Sequence, residues 1–516
     1  MVKRIFVILM ILVTVLSFAA KLTILHINDT HGHAWAFSET NNPNIGGFAA
    51  IATIVEEVRK EVESQGGHVL FLHAGDINTG VPESDQLDAA PDILTLNLMK
   101  LDAATFGNHE FDKPKSILAK QIAIAKFPFV SANFSDPEDV VKTKAYVVKD
   151  FGDLKVAIFG LTTEETAILE PIYLNGATFS DAVQASKSLL PELRAKADVV
   201  IALTHLGWEP EGEGKTTSKQ LAQLVNGIDV IIDGHSHTKF ENAQFVNNTI
   251  IAQAWEWGKY VGRLDLDIEN GKIVSWSWKP IPVNLKIYKG KDADGKDTYE
   301  FVGKPYEENF YVKTVLDYFK SIGSEKLNAV IGETKILLDG ERANVRSKST
   351  NLANMICDSM MWKVNADLAL TNGGGIRASI KPGKITIRDV LTVLPFGNTL
   401  YVIKMTGSQL LEVLQYAATI KEGQGAFLQT GGLIWKSVDG KVVEAKIKGQ
   451  PLESDKLYTV VTNDYMAQGG DGYTMLKGLP GYNTGFTMDS VLSQYIQEVL
   501  NGIVQDYDSQ LRYIRQ

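Results

Sequence analysis

The first half of the chain alternates short apolar runs with stretches of helical spacing. Each apolar run is bounded by glycine or polar residues, which is typical of buried strands. Residues 47–62, 181–195 and 218–225 carry apolar positions at helical spacing instead. The alternation predicts a layered α/β unit over residues 20–306. The apolar runs are 22–27, 69–72, 103–106, 199–203 and 230–232.

Each apolar run is followed by residue types that bind metal ions. In open α/β sheets, sites form outside the carboxyl ends of strands, so these side chains are expected on one rim. Carboxylate, amide oxygen and imidazole suit zinc, manganese, cobalt or iron, and the lack of a thiolate argues against a structural zinc cage. One such motif is weak evidence, but five in order at strand ends are not explained by structural roles alone. The candidate metal ligands are Asp29, His31, Asp76, Asn108, His205, His235 and His237.

The ligand set favours a pair of divalent cations rather than a single one. Asp76 is the candidate bridge, because a carboxylate has two oxygens. A water acidified between two cations can attack phosphorus in line, while the cations neutralise negative charge on the phosphoryl oxygens. The series therefore indicates a two-metal phosphoesterase.

A second domain is predicted after residue 306. A chain of 516 residues is too long for one ordinary core. Residues 307–322 have helical spacing, and 307–327 is predicted to be a connecting helix. Residues 328–516 contain further apolar runs and form the predicted second domain. The helix is expected to carry one apolar face, made of Tyr311, Val315, Tyr318, Phe319 and Ile322.

The net charge and the N-terminal residues indicate which partners and which compartment the sequence favours. A net charge of −10 argues against binding a nucleic acid polymer, which needs a basic surface. Lys3 and Arg4 precede the apolar stretch 5–16 and small residues at 17–19, so residues 1–19 are predicted to be a signal peptide. A membrane anchor or a first buried strand is the alternative, but the stretch is short for a ~20-residue span. The expectation is an exported protein, periplasmic or secreted, without a stable membrane anchor.

The motif order resembles that of the calcineurin-like metallophosphoesterases. The resemblance implies an N-terminal four-layer α/β/β/α domain with one cation on Asp29, His31, Asp76 and His237. The other cation would take Asp76, Asn108, His205 and His235. His109 would stabilise the transferring phosphoryl group or the leaving oxygen, and Asp112 would orient its imidazole. Asp112 also fits a carboxylate near the start of a helix at Pro114, and the two roles are compatible.

The second half resembles the substrate domain of the 5′-nucleotidase family, in particular the bacterial periplasmic enzymes that also hydrolyse UDP-sugars. The similarity is densest at 340–346, 372–377, 395–398 and 469–473. It implies a C-terminal α/β substrate-binding domain whose arginines hold the terminal phosphate and whose aromatics sandwich the base. Guanidinium suits phosphate and aromatic faces suit bases. The implied substrate residues are Arg342, Arg346, Asn372, Arg377, Phe396, Asn398, Tyr465 and Asp471.

Two positions depart from the closest bacterial relatives of that family. Tyr465 stands where phenylalanine is usual, and His237 stands where glutamine is usual. The implied activity is hydrolysis of nucleoside 5′-monophosphates, extending to UDP-sugars. The alternative on the same scaffold is a 2′,3′-cyclic nucleotide phosphodiesterase with 3′-nucleotidase activity. A non-catalytic nucleotide-binding protein is the third hypothesis, although none of Asp76, Asn108 and His109 is lost.

Overall fold

The computed structural model describes residues 20–39, 42–169, 173–208 and 216–516. The predicted signal peptide, residues 1–19, lies outside these ranges. Within them, no helix is both long and apolar enough to cross a lipid bilayer.

Two six-stranded sheets stack face to face in the first unit. Residues such as Leu22, Leu70 and Ile201 fill the layer between them. The opposite face of each sheet is also buried, which explains why several strands are apolar on both faces. The first sheet runs in the order Lys272–Pro282, Tyr260–Glu269, Ala20–Ile27, His68–His73, Ala103–Thr105, Phe129–Val130. The second runs in the order Gln244–Val246, Thr249–Ala252, Val230–Ile232, Val199–His205, Lys155–Thr162, Tyr146–Asp150.

Helices cover the outer face of each sheet. Their apolar sides complete two further core layers, so the expected four-layer α/β/β/α architecture is confirmed. Helices Ala182–Lys196 and Ser218–Leu224 lie on the second sheet. The helices on the first sheet are Phe48–Ser64, Ala90–Leu98, Lys115–Ile124 and Phe310–Leu327.

The five strands that precede the metal motifs belong to both sheets. Ala20–Ile27, His68–His73 and Ala103–Thr105 lie in the first sheet, and Val199–His205 and Val230–Ile232 lie in the second. Their carboxyl ends meet at one end of the sandwich. The rim expected from the sequence is therefore shared by two sheets.

The helix Phe310–Leu327 buries a different face from the expected one. Val312 and Leu316 pack into the first core, whereas Tyr311 and Tyr318 are exposed. Ile322 is exposed as well. Val315 and Phe319 are half-buried, so the expected apolar face lies beside the buried one and is covered only in part.

The second unit is built around a mixed five-stranded sheet. Helices Asn351–Val364, Ile387–Val393 and Met488–Gln494 pack on one face. Helices Gly407–Thr419 and Asp464–Ala467 pack on the other. The strand order is Leu428–Gly431, Leu368–Asn372, Leu457–Asn463, Thr399–Thr406, Gly481–Thr487.

Two smaller sheets complete this unit. One consists of Gly383–Thr386, Val330–Thr334 and Ile503–Val504. The other has the order Gln450–Pro451, Lys441–Ile447, Leu433–Val438, Tyr513–Arg515.

The two units also touch beside the connecting helix. The short helix Pro82–Asp85 contacts both Phe310–Leu327 and Ile387–Val393. Glu83 on this helix forms an ion pair with Arg388 of the second unit. The contact places the ends of the first unit's strands against the second unit, with a cleft between them.

Candidate active site

All seven candidate metal ligands lie in one cluster at the shared rim. One ligand atom from each of Asp29, His31 and His237 lies within 4.8 Å of the other two. The same holds for a second group, Asp76, His205 and His235. Asn108 joins the second group, since its Oδ1 lies 3.1 Å from His235 Nδ1. Asp76 belongs to more than one group, which suits a bridging position.

The tautomers of the histidines favour a cation at the centre of the cluster. The Nδ1 atoms of His31 and His205 donate to the carbonyls of Thr79 and Ala74, at 2.8 and 2.7 Å. Each Nε2 then points inward and can bind a cation when it carries no proton. Nε2 of His31 lies 3.2 Å from Nε2 of His237, which also donates through Nδ1. When both Nε2 atoms are unprotonated, His31 and His237 present two acceptors to the same point, which suits one cation bound by both.

His205 provides a further test of this fit. Its Nε2 is buried and has no hydrogen-bond donor or acceptor partner among the described residues, although it lies 3.1 Å from Asp76 Oδ2. Burial lowers the pKa of His205, but the charges of Asp76 and Asp29 outweigh burial and raise it to about 10. The pocket thus favours positive charge at this atom, and a divalent cation would replace the proton.

The backbone around the cluster is held in an uncommon conformation. Five of the seven candidate ligands, Asp29, His31, Asp76, His235 and His237, have left-handed φ values between 47° and 79°. Such conformations cost roughly 1–3 kcal/mol each and concentrate at functional sites. Here the cost is offset by hydrogen bonds within the site.

Glu110 supplies several of those hydrogen bonds. Its carboxylate accepts from the backbone N–H groups of Asp76, Ile77 and Gly107 at 2.9, 2.8 and 2.5 Å. Gly107 is required for this approach, because a Cβ there would overlap Asp76 Oδ1. The Asp76 and Asn108 loops are therefore fixed to each other.

His109 and Asp112 form a pair at the edge of the cluster. His109 Nδ1 lies 2.8 Å from Asp112 Oδ2, and the His109 backbone N–H donates to Asp76 Oδ1 at 2.9 Å. Burial lowers the pKa of His109, but the charges of Asp112 and Asp76 together raise it to about 9. The imidazole is therefore held as a cation that can face a negatively charged group.

The cleft beside the cluster is lined by both units. The empty space in it is about 870 Å³ when the open mouth is included. Asp29, His205 and Asp112 lie behind its walls. The sequence-predicted residues that line it are His31, Asp76, Asn108, His109, His235, His237, Arg342, Arg346, Asn372, Arg377, Phe396, Asn398, Tyr465 and Asp471.

Three arginines of the second unit face the metal cluster across this cleft. Burial, and then the like charge of Arg342, lower the pKa of Arg377 to about 10. Arg346 is 8% exposed at the end of the helix Arg342–Val345. Three guanidinium groups that line one cavity favour binding of an anion there.

Phe396 connects the two sides of the cleft. Its ring stacks on His109 of the first unit, with centroids 5.4 Å apart and an interplanar angle of 16°. The Arg377 guanidinium lies 5.4 Å from the same ring. The ring therefore contacts two cationic side chains, one from each unit.

Polar residues at the far end of the cleft form a connected group. The Tyr465 hydroxyl donates to Asp471 Oδ1 at 2.8 Å and accepts from the Asp471 N–H at 2.9 Å. Asn372 donates to Asp471 Oδ2 at 2.7 Å. Asn398 donates to Asp464 Oδ1 at 3.1 Å. Asp471 has a left-handed φ of 53°, so its partners fix a strained residue.

Comparison with known proteins places the chain in a family. The family described as calcineurin-like phosphoesterase matches residues 22–239, and the one described as 5′-nucleotidase, C-terminal domain, matches residues 330–478. A 5′-nucleotidase from Vibrio vulnificus (strain CMCP6) is 39% identical, over 93% of this chain and 90% of the relative. The chain belongs to the 5′-nucleotidase family. Protein UshA from Escherichia coli (strain K12) is also 39% identical, over 93% of this chain and 91% of its own length.

A solved structure of the 5′-nucleotidase family supports the same architecture. The crystal structure of a 5′-nucleotidase precursor from Thermus thermophilus aligns with a TM-score of 0.79 and 31% identity. The alignment covers 96% of this chain and 99% of that chain. The expected family and two-part fold are confirmed, and the metallophosphoesterase half implies divalent metal ions at the cluster.

Three carboxylates of this 5′-nucleotidase-family site were not assigned a role from the sequence. Glu110 supports the Asp76 loop, Glu165 lies 3.3 Å from His235 Nε2, and Glu256 lies 2.5 Å from His237 Nδ1. Glu110 directly follows His109, so its position in that motif was a usable signal. Glu165 and Glu256 follow no motif, and their contacts are visible only in three dimensions.

Proposed function

We propose that the protein hydrolyses nucleoside 5′-monophosphates to nucleoside and phosphate, and also accepts UDP-sugars. The observation that carries this proposal is the cleft itself. One cavity is lined by the metal cluster, three arginines, two aromatic rings and Asp471. A phosphate, a base and a ribose each find a matching surface there. The names of the relatives support the same substrate class.

We propose two cations, drawn from zinc, manganese, cobalt or iron. The first would be held by Asp29, His31, Asp76 and His237, and the second by Asp76, Asn108, His205 and His235. The inward-facing Nε2 atoms and the shared carboxylate of Asp76 support this division. Such cations, when bound, acidify water and neutralise charge on phosphoryl oxygens.

His109 is proposed to stabilise the phosphoryl group and the leaving oxygen. Its cationic form, oriented by Asp112, faces the cleft next to the metal cluster. Charge on the leaving oxygen grows as the phosphorus–oxygen bond breaks, so a fixed cation stabilises the transition state more than the substrate.

The second unit is proposed to bind the nucleotide. Arg342, Arg346 and Arg377 would hold the terminal phosphate, and Asp471 with Asn372 would bind the ribose hydroxyls. Phe396 and Tyr465 would stack on the base, with Asn398 at its edge. Because Phe396 contacts His109 in the closed arrangement, we infer that nucleotide entry separates these rings.

Movement of the two units relative to each other is proposed to let the substrate enter and leave the cleft. Residues 20–306 and 328–516 would move relative to each other about the helix at 307–327, opening and closing the cleft. The ion pair between Glu83 and Arg388 lies across this boundary and supports the closed arrangement.

We also propose that the chain is exported to the periplasm or secreted. The basic residues at positions 3 and 4 and the apolar stretch 5–16 support export. Mass spectrometry of the mature protein should give an N-terminus near residue 20. An intact residue 1 on cytoplasmic protein would overturn this part of the proposal.

Phosphate release from a panel of substrates tests the activity. The panel is 5′-AMP, 3′-AMP, 2′,3′-cyclic AMP and UDP-glucose, assayed after chelation and after return of each candidate metal. We expect release from 5′-AMP that is lost on chelation and restored by metal. Asp76→Ala should abolish it, whereas Glu61→Gln, in an ion pair with Arg263 that does not line the cleft, should not.

Other outcomes separate the rival hypotheses. Faster turnover of cyclic or 3′ substrates would favour the phosphodiesterase alternative. Tight AMP binding by metal-loaded protein without turnover would favour a binding protein. Release that persists after complete chelation would refute the two-metal mechanism.

A further inference from the structure

Glu256 contacts both halves of the proposed phosphate site. Its Oε2 accepts from His237 Nδ1 at 2.5 Å and lies 3.7 Å from Nη1 of Arg342 in the other unit. Its Oε1 accepts from Lys259 Nζ at 3.0 Å. Glu256 is 8% exposed, so these charges interact with little screening by water. One buried carboxylate thus faces a metal ligand and an anion-binding arginine.

The turn that carries Glu256 is strained and firmly attached. Trp255 and Trp257, on either side of it, have left-handed φ values of 66° and 57°. The Trp257 N–H donates to the Asp29 carbonyl at 2.7 Å, and the Asn28 amide donates to the Trp255 carbonyl at 2.5 Å. Large residues adopt this conformation only where the surroundings fix it. The turn is therefore anchored to the loop that supplies Asp29.

Lys259 adds a second anchor to this turn. Its ammonium lies 4.5 Å from the Trp255 ring centroid and 4.3 Å from that of Trp257. It also holds the Glu256 carboxylate in place from the side opposite His237. The carboxylate is thereby fixed in orientation before any ligand binds.

We propose that Glu256 is a positioning residue that sets metal affinity through His237 and holds Arg342 over the metal cluster. A carboxylate on the far nitrogen of an imidazole fixes its tautomer and makes it a stronger metal ligand. The same carboxylate attracts Arg342 when the units close. Metal binding and phosphate binding are then coupled through a single side chain. The effect on Arg342 rests on the proposed nucleotide hydrolysis, whereas the effect on His237 rests only on the proposed metal site.

Metal titration tests the effect on His237 without any nucleotide. Full-length protein is stripped with a chelator and titrated with Mn²⁺ by calorimetry, for the wild type, Glu256→Gln and Glu256→Ala. We expect Glu256→Ala to weaken one of the two binding events about 10- to 100-fold. Glu256→Gln should lose less, because its amide oxygen still accepts from Nδ1. Glu61→Gln is the matched control for loss of a carboxylate from an ion pair.

Inorganic phosphate is the probe for the effect on Arg342. Its affinity for metal-loaded protein is measured for Arg342→Ala in the wild-type and Glu256→Gln backgrounds. If Glu256 holds Arg342, the loss caused by Arg342→Ala should be at least threefold smaller in the Glu256→Gln background. Equal losses in the two backgrounds would overturn the coupling.

The remaining outcomes are also decisive. Metal affinities within twofold of wild type for both Glu256 variants would overturn the positioning role. If Glu256→Ala fails to fold, Glu256→Gln alone decides, since it preserves the shape of the side chain and one acceptor oxygen while removing the charge. A protein that releases no phosphate from AMP, yet loses metal affinity in Glu256→Gln, would refute the proposed function and leave this inference standing.

Discussion

Replacing Tyr465 with phenylalanine isolates one hydroxyl in the proposed ribose site. The ring that would stack on the base is unchanged. What is lost is the hydrogen bond to Asp471 Oδ1 at 2.8 Å and the one from the Asp471 N–H at 2.9 Å. Asp471 keeps Asn372 as a partner but has a left-handed backbone, so it should relax from its present position.

The size of the effect follows from these contacts. A hydrogen bond to a charged group contributes about 1.5–3 kcal/mol. The lower value applies here, because Tyr465 and Asp471 line an open cleft and water can replace part of the bond. About 1.5 kcal/mol corresponds to roughly tenfold in kcat/KM for a substrate that uses Asp471.

A pair of substrates separates this effect from general damage. Steady-state kcat/KM is measured with 5′-AMP and with 2′,3′-dideoxyadenosine 5′-monophosphate, which lacks the hydroxyls that Asp471 would bind. Tyr465→Phe should lose about tenfold on AMP and less than twofold on the dideoxy substrate. Tyr146→Phe, which removes a hydroxyl bonded to Glu192 on the exposed surface of the first unit, is the control. Equal losses on both substrates, or no loss on AMP, would refute the reasoning.

Three further perturbations test other parts of the site. His109→Ala should lower kcat for 5′-AMP at least ~100-fold while changing KM little, because its contact is with charge that develops in the transition state; steady-state kinetics with near-normal turnover would show that its role is misplaced. Gly107→Ala places a Cβ against Asp76 Oδ1 and should weaken metal binding measured by calorimetry, and an unchanged affinity would contradict this. Arg388→Ala removes the ion pair with Glu83, which contributes about 1 kcal/mol, and should shift the equilibrium between the units roughly fivefold toward an open form. Small-angle scattering should then show a larger radius of gyration. An unchanged scattering profile would show that the ion pair does not hold the units together.

Local patterns in the sequence were sufficient to place the strand ends. Each apolar run that precedes a metal motif is a strand, and its last residue lies within two positions of the predicted end. The reason is physical: a strand buried on both faces must be apolar throughout, and it ends where glycine or a polar ligand follows. This local signal was enough to place the seven candidate ligands at one rim.

The rest depended on contacts between residues that are distant in the chain. Glu256 and His237 are neighbours only because the turn at 255–257 folds back on the loop at 28–29. The buried face of the helix Phe310–Leu327 was predicted only in part, because aromatic residues indicate an apolar side but not what covers it. Periodicity describes one element at a time, and these features belong to pairs of elements.

The division of the ligands between two sheets has a consequence for assembly of the molecule. Asp29, His31, Asp76 and Asn108 follow strands of one sheet, and His205, His235 and His237 end or follow strands of the other. Each proposed cation would therefore be bound by residues from both sheets and would link them. If the proposed ligand sets hold, neither sheet alone would supply all the ligands of one cation, and tight metal binding would require that the sheets have packed together. Bound metal would then stabilise the packed pair of sheets relative to separated sheets, because a ligand that binds only the folded state shifts the equilibrium toward it.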